Sequence, residues 1–316
     1  MNLVKQTKIL SLSILILFVF SCKTDKKEQN KIKKDIEKQQ NYIEIITRSM
    51  EFICPDTISS GWNTFKYYNL SNETHFFLMD KYPEGKTIEN TLTDIAPTFE
   101  KGMDLINEGK SQEGFAEFNN LPEWFFSVQF CGGSGLIGPK KTSTTTIKLD
   151  PGYYIMECYV KMPNGKFHTS MGMAKPIIVT DKDSGNIPPT ADVNISISKN
   201  EGITYTGNLS KGEHIFSVNF VDQGPHEHFV GHDVNLVKLD ANADIEKLEA
   251  WMNWSTPFGL KTPVPAGVTF LGGVNESPAG SVGYFKATLT SGKYAFISEV
   301  PNNKEKGMLK IFSITE

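Results

Sequence analysis

From Tyr42 onward the chain alternates short apolar or alternating runs, at 50–53, 62–67, 76–79, 144–149, 153–160 and 176–179, with glycine, proline and asparagine. Runs of that length, enriched in β-branched and aromatic residues, predict the strands of an antiparallel β-sandwich. One segment has another period. Ile88, Leu92, Ile95, Phe99, Met103 and Ile106 recur every three or four residues. That spacing predicts a helical excursion between strands, kinked or divided at Pro97.

The second half of the pattern repeats the first. Residues 131–160 align without a gap on 271–300, pairing Gly132 with Gly272, Gly133 with Gly273, Leu149 with Leu289, Gly152 with Gly292, Tyr154 with Tyr294 and Val160 with Val300. Gly172 and Met173 then match Gly307 and Met308, and 81–89 resembles 238–246. A collinear duplication predicts two similar domains, 46–180 and 197–316, joined by a linker over 181–196 that carries Asp, Ser, Gly and two prolines.

The N-terminus has a different character. Lys5 and Lys8 precede an apolar run over 9–20 that is too short for a permanent membrane span and stops at Ser21 and Cys22. A small residue directly before a cysteine at that point resembles a bacterial lipoprotein signal. The resemblance implies a leader over 1–21, a lipidated Cys22, and a location in the cell envelope, anchored to a bilayer outside the cytoplasm. Residues 22–45 then read as a charged tether with too little apolar surface to order itself.

With 316 residues and 39% hydrophobic content, the chain has enough material for two ordinary cores. The net charge of -4 leaves no electrostatic footprint for nucleic acid. In the mature form Cys54, Cys131 and Cys158 remain. In an oxidising compartment the simplest arithmetic is one disulfide and one free thiol, and a metal is a good reason to leave a thiol free.

Candidate chemistry concentrates between 152 and 173, where Cys158, His168, Met171 and Met173 follow one another through a strand and its loop. A thiolate, an imidazole and thioethers are the donors of a mononuclear copper site. The bland reading makes Cys158 a small buried hydrophobe and the methionines core filler. A second cluster, His226, His228 and His232, could converge along one face of a strand as an additional metal site, or lie in a solvated loop. His214 reads as a surface residue.

Taken together, Cys54 to Trp62, His75, Gly85 to Ile88, Gly132, Gly133, Leu149 to Tyr153, Cys158, His168 and Met173 resemble the cupredoxin family. The resemblance implies a mainly β fold of two tandem cupredoxin-like Greek-key β-sandwiches with short helical insertions. It also implies copper held by His75, Cys158, His168 and Met173, with Met171 as rival axial ligand; with Cys158 used in this way, Cys54 and Cys131 are left to pair. Two features depart from the family pattern. Nine residues separate Cys158 from His168, a span that a turn at Pro163, Asn164 and Gly165 would fold into a hairpin. In the second repeat Ser298 replaces the cysteine, and 301–307 has no histidine.

The reading is therefore an anchored copper protein for electron transfer, with a redox or envelope protein as partner, or for copper binding and delivery. The alternative is a metal-free scaffold that binds a protein or glycan at the cell envelope. Six histidines are too few for a trinuclear oxidase centre, and Glu157 and Tyr159 flank Cys158 where a nitrite reductase has a bridging histidine. No phosphate loop or hydrolase motif is present either, which argues against an enzyme.

Overall fold

The computed structural model describes residues 42–315. The leader, Cys22 and the tether up to residue 41 lie outside the described residues. Strand β1 (Tyr42–Thr47) already takes in the last residues expected of the tether. In the first half there follow β2 (Thr57–Asn69), β3 (Leu78–Lys81), β4 (Gln129–Gly133), β5 (Thr142–Leu149), β6 (Gly152–Glu157) and β7 (Ala174–Asp183). The second half holds β8 (Val193–Ser198), β9 (Gly202–Gly207), β10 (Gly212–Phe220), β11 (Val234–Leu239), β12 (Val268–Val274), β13 (Val282–Leu289), β14 (Gly292–Ile297) and β15 (Leu309–Ile314). The apolar run at 50–53 forms only a bridge between Ile53 and Ile46.

Strand pairing repeats as the sequence does. In the first half β1 runs parallel to β2, β2 pairs with β5, β3 lies between β4 and β6, and β6 pairs with β7. In the second, β8 runs parallel to β10, β10 pairs with β13, β11 lies between β12 and β14, and β14 pairs with β15. Only β9, beside β8, has no counterpart. The tyrosines matched in the alignment, Tyr154 and Tyr294, each donate to a carbonyl four residues back, at Asp150 (2.8 Å) and Thr290 (3.1 Å). Such tyrosine corners pin the turn into an inner strand of a sandwich.

β2 shows how local sequence shapes the first sandwich. Ile58, Phe65 and Tyr67 face the core while Trp62, Lys66 and Tyr68 are less buried, the alternation of a strand packed on one side. Its first residues pair with β7 and the rest with β5, and the register shifts between Ser59 and Ser60. Gly61, at φ 82°, takes the left-handed conformation needed where the strand passes from one sheet to the other. Phe65, Tyr67, Phe77, Tyr154 and Met156 fill the interior. Each such side chain contributes about 1.5–3 kcal/mol on burial.

The helical excursion forms as a π-turn over Thr91–Ile95, helix α1 (Ala96–Asn107) and helix α2 (Ser111–Glu117). Pro97 lies in the first turn of α1. Proline lacks an N–H and crowds the carbonyl four residues earlier, so the preceding turn widens instead of continuing as α-helix. In the second half only the shorter α3 (Ile245–Trp251) stands at the equivalent place.

The halves share one sheet, because β13 pairs antiparallel with β5 through Tyr284 to Lys286 and Thr144 to Thr146. They are tied again by Asn235, whose buried amide oxygen accepts from Leu136 N at 2.7 Å, and by Lys161. The Lys161 ammonium is buried and donates to the Trp254 and Thr256 carbonyls at 2.7 and 2.6 Å. Its backbone N–H meets Leu260 O at 2.8 Å, and its carbonyl accepts from Thr262 N at 2.9 Å.

Burial, with a smaller contribution from Lys261, lowers the Lys161 pKa to about 7 from the ordinary 10.5. Below pH 7 the folded chain therefore carries a desolvated charge, and between pH 7 and 10.5 the unfolded state holds the extra proton. Relative to Lys161→Met, the native chain should gain stability as pH rises through that window. Denaturant unfolding of both proteins from pH 6 to 10 checks this; a stability difference independent of pH would contradict it.

Candidate metal centre

His75 is placed by the loop between β2 and β3. Asn69 at the end of β2 donates to Glu73 O, Ile137 O and Gly138 O, at 2.8, 3.0 and 3.1 Å, and so closes that loop. His75 exchanges two backbone hydrogen bonds with Ile137. Cys158 follows β6 directly, and its N–H reaches Met173 O at 3.1 Å.

The residues between Cys158 and His168 form the hairpin that the Pro163, Asn164 and Gly165 turn predicts. Met162 N bonds Lys166 O, Gly165 N bonds Met162 O, and His168 N bonds Val160 O, each at 2.8 Å. Gly165, at φ 87°, turns the tip against the Asn107 amide, where a Cβ would stand 2.6 Å from Nδ2. Thr169 Oγ1 then donates to Cys158 O at 3.0 Å, and Met173 N bonds His168 O at 3.0 Å. A loop longer than the family pattern thus returns its histidine to the cysteine.

His75, Cys158 and His168 converge in the core with no exposed surface. The two Nδ1 atoms are 3.1 Å apart, and Cys158 Sγ lies 3.7 Å from His168 Nδ1 and 3.9 Å from His75 Nδ1. A point equidistant from these atoms lies about 2.1 Å from each, within bonding range of imidazole nitrogen and close to that of thiolate. At most one N–H can lie between the facing nitrogens. Both Nε2 atoms are buried and lack a hydrogen-bond partner in the protein. A shared cation would use lone pairs that the protein itself leaves facing one another.

The electrostatics fit the same use. Burial, reinforced by His168, lowers the His75 pKa to about 3, and burial lowers that of His168 to about 4, so both rings are neutral ligands at pH 7. Burial pushes the Cys158 thiol up to about 12 when no positive charge is near. A bound cation is what would favour its thiolate. Met173 is fully buried and tied by its backbone to both Cys158 and His168, whereas Met171 stands 48% exposed on a single 3-10 turn.

Other expectations are corrected. Cys54 and Cys131 are both free thiols. Cys131 lies on β4 and Cys54 on the approach to β2, with β3, β6 and β7 between them in sheet order. At about 4.8 Å per strand that separation exceeds the reach of a disulfide. Of the second histidine cluster, His226 Nε2 and His232 Nδ1 meet at 3.2 Å, but His228 turns away and stacks on Phe115, ring centroids 4.1 Å apart. Positive φ at His228 and Phe229 breaks the strand alternation that would have joined the three. His214 is buried and bonded to Asp192 and Ser210 O.

The second half keeps the framework of the site without the thiol and the loop histidine, at whose places Ser298 and Asn303 stand. In strand register Leu78 and Asn235 occupy the same place, opposite Gly133 and Gly273 respectively, which sets His232 where His75 stands. Ser298 N bonds Met308 O at 3.0 Å, and Met308 N bonds Asn303 O at 2.7 Å, repeating the bonds of Cys158, Met173 and His168. Ser298 Oγ donates to Asp233 at 3.0 Å, and His232 Nε2 meets Asp222 O at 2.8 Å. Extending the match of 81–89 with 238–246 backward already aligns His75 with His232, a signal the repeat alignment above leaves unused.

No protein-family model matches the chain, and no curated protein does. Among solved structures, the auracyanin of Roseiflexus castenholzii is 20% identical, covering 44% of this chain and 96% of its own, with a TM-score of 0.27. Auracyanin A of Chloroflexus aurantiacus, titled a "blue" copper protein, is 21% identical over 44% of this chain and 98% of its own, with a TM-score of 0.26. The copper nitrite reductase of Nitrosomonas europaea is 12% identical over 87% of this chain and 94% of its own, with a TM-score of 0.21. By its own strand pairing and by the order His75, Cys158, His168 around one buried point, this chain has a tandem cupredoxin-like β architecture.

Proposed function

We propose that the chain is a mononuclear copper protein of the cell envelope that transfers electrons to or from a partner protein. The observation that supports this reading most directly is the buried convergence of two imidazole nitrogens and one thiol. Two imidazoles with one thiolate and a weak thioether match the donor preferences of copper. His75, Cys158 and His168 would hold the ion, with Met173 as the axial thioether; bound copper supplies a one-electron couple. The protein holds the donors in place. β6 and the hairpin fix Cys158 and His168, the Ile137 bridge fixes His75, and the complete burial of all three excludes water. Fully buried donors suit electron transfer through the protein better than delivery, which requires ligands that a recipient can displace.

Adding one equivalent of Cu(II) to the purified protein should produce an intense visible thiolate-to-copper band. Cys158→Ser should abolish it, and His168→Ala should weaken or shift it, while His226→Ala leaves it unchanged. Absence of the band with no copper bound would leave the metal-free scaffold reading, and tight binding without the band would favour storage or delivery.

We also propose that Cys22 carries the lipid, on the strength of the leader pattern. Cell fractionation should move Cys22→Ala from the membrane to the soluble fraction. A processed Cys22→Ala protein retained in membranes would refute it.

A further inference from the structure

A cavity of about 140 Å³ lies beside the metal centre. The chain neighbours of both late donors line it, Glu157 and Tyr159 beside Cys158, and Phe167 and Thr169 beside His168. Its apolar wall is aromatic and comes from separate parts of the chain. Phe99 belongs to α1, Phe167 to the Cys158–His168 hairpin, and Trp254 to the second half, with ring centroids 6.0 to 6.4 Å apart. The three rings are tilted or edge-on to one another, so the wall presents both ring faces and ring edges.

A loop of the second half closes one side of this space. His228 and Phe229, consecutive and both lining the cavity, hold φ of 63° and 68°. Left-handed backbone is unfavourable for a residue with a Cβ and persists where the surrounding packing over-determines it. His228 stacks on Phe115 of α2 with ring centroids 4.1 Å apart, and Phe229 meets Phe118 edge-on at 6.0 Å. The strained loop is thus pinned to the helical excursion of the first half while the space beside it stays unfilled, and the atoms around an unfilled space forgo dispersion contacts that an occupant would restore.

The polar groups of the wall do not ask for an ion. No lysine or arginine is among the lining residues, and Asp80 and Glu157 are hydrogen-bonded to each other. Burial raises the Asp80 carboxyl, raises that of Glu276 to about 8, and lowers His228, so these three groups favour their neutral forms at pH 7.

We propose that this cavity binds one uncharged, single-ring aromatic molecule, seated among Phe99, Phe167 and Trp254 and beside the His228–Phe229 loop. An apolar cavity of comparable volume accepts benzene. Edge-to-face contact with the wall favours an aromatic ring over a saturated ring of the same size. A charged molecule would give up its hydration without meeting an opposite charge. The site does not depend on the copper reading, since none of these residues is a metal donor.

The test is calorimetric titration of the full protein with phenol, its saturated counterpart cyclohexanol, and benzylammonium chloride. One equivalent of phenol should bind at least tenfold more tightly than either of the others. Ala96, at the start of α1, also lines the cavity, and Ala96→Leu keeps a good helix former while filling the space, so it should weaken phenol at least tenfold. Equal binding of cyclohexanol would overturn the aromatic preference, and equal binding of benzylammonium would overturn the preference for an uncharged ligand. No binding of phenol at millimolar concentration, or undiminished binding by folded Ala96→Leu, would overturn the site itself. The comparison of three probes on the native chain stands even where Ala96→Leu does not fold.

Discussion

The hairpin between Cys158 and His168 keeps its shape because its back is bonded to the other half of the molecule. Lys161 provides that attachment: its buried ammonium and both backbone groups reach carbonyls and an N–H between Trp254 and Thr262. A nine-residue loop left free would lose entropy on holding His168 against Cys158; one sewn to a second sandwich has that cost met by the packing of the halves. The donor triangle, the packing of Phe167 against Trp254 and the junction of the sandwiches thus depend on one buried lysine.

The duplication explains why such an attachment exists. Both halves retain the same strand pairing and the same backbone bonds around their late loops, but only the first sets a thiol against two imidazoles. In the second, Ser298 turns to Asp233 and His232 to Asp222 and His226, so their hydrogen-bonding atoms find partners inside the protein. Freed from holding donors, the second half supplies Trp254, Thr256 and Leu260 as a platform for the first. The division of labour is one repeat as site and the other as support.

Much of this was legible from residue order. Strand alternation and the gapless match of 131–160 with 271–300 reflect backbone pairing that the structure repeats, and the Pro163 to Gly165 turn carries enough local chemistry to predict the hairpin. His75, Cys158 and His168 stand out because soft donors are rare in a sandwich core. Lys161 did not stand out, since a lysine in a loop reads as solvated unless its carbonyl partners, over 90 residues away, are known to lie above it. The Cys54 and Cys131 pairing failed for a related reason: counting thiols says nothing about the strands between them.

The central claim is that one ion is bound by the core thiol and the two core imidazoles. X-ray absorption at the copper edge of protein loaded with one equivalent of copper tests it most directly. The account predicts a first shell of two imidazole nitrogens and one sulfur, with the sulfur lost in Cys158→Ser. A shell of nitrogen and oxygen alone, unchanged in that variant, would place the copper elsewhere and contradict it.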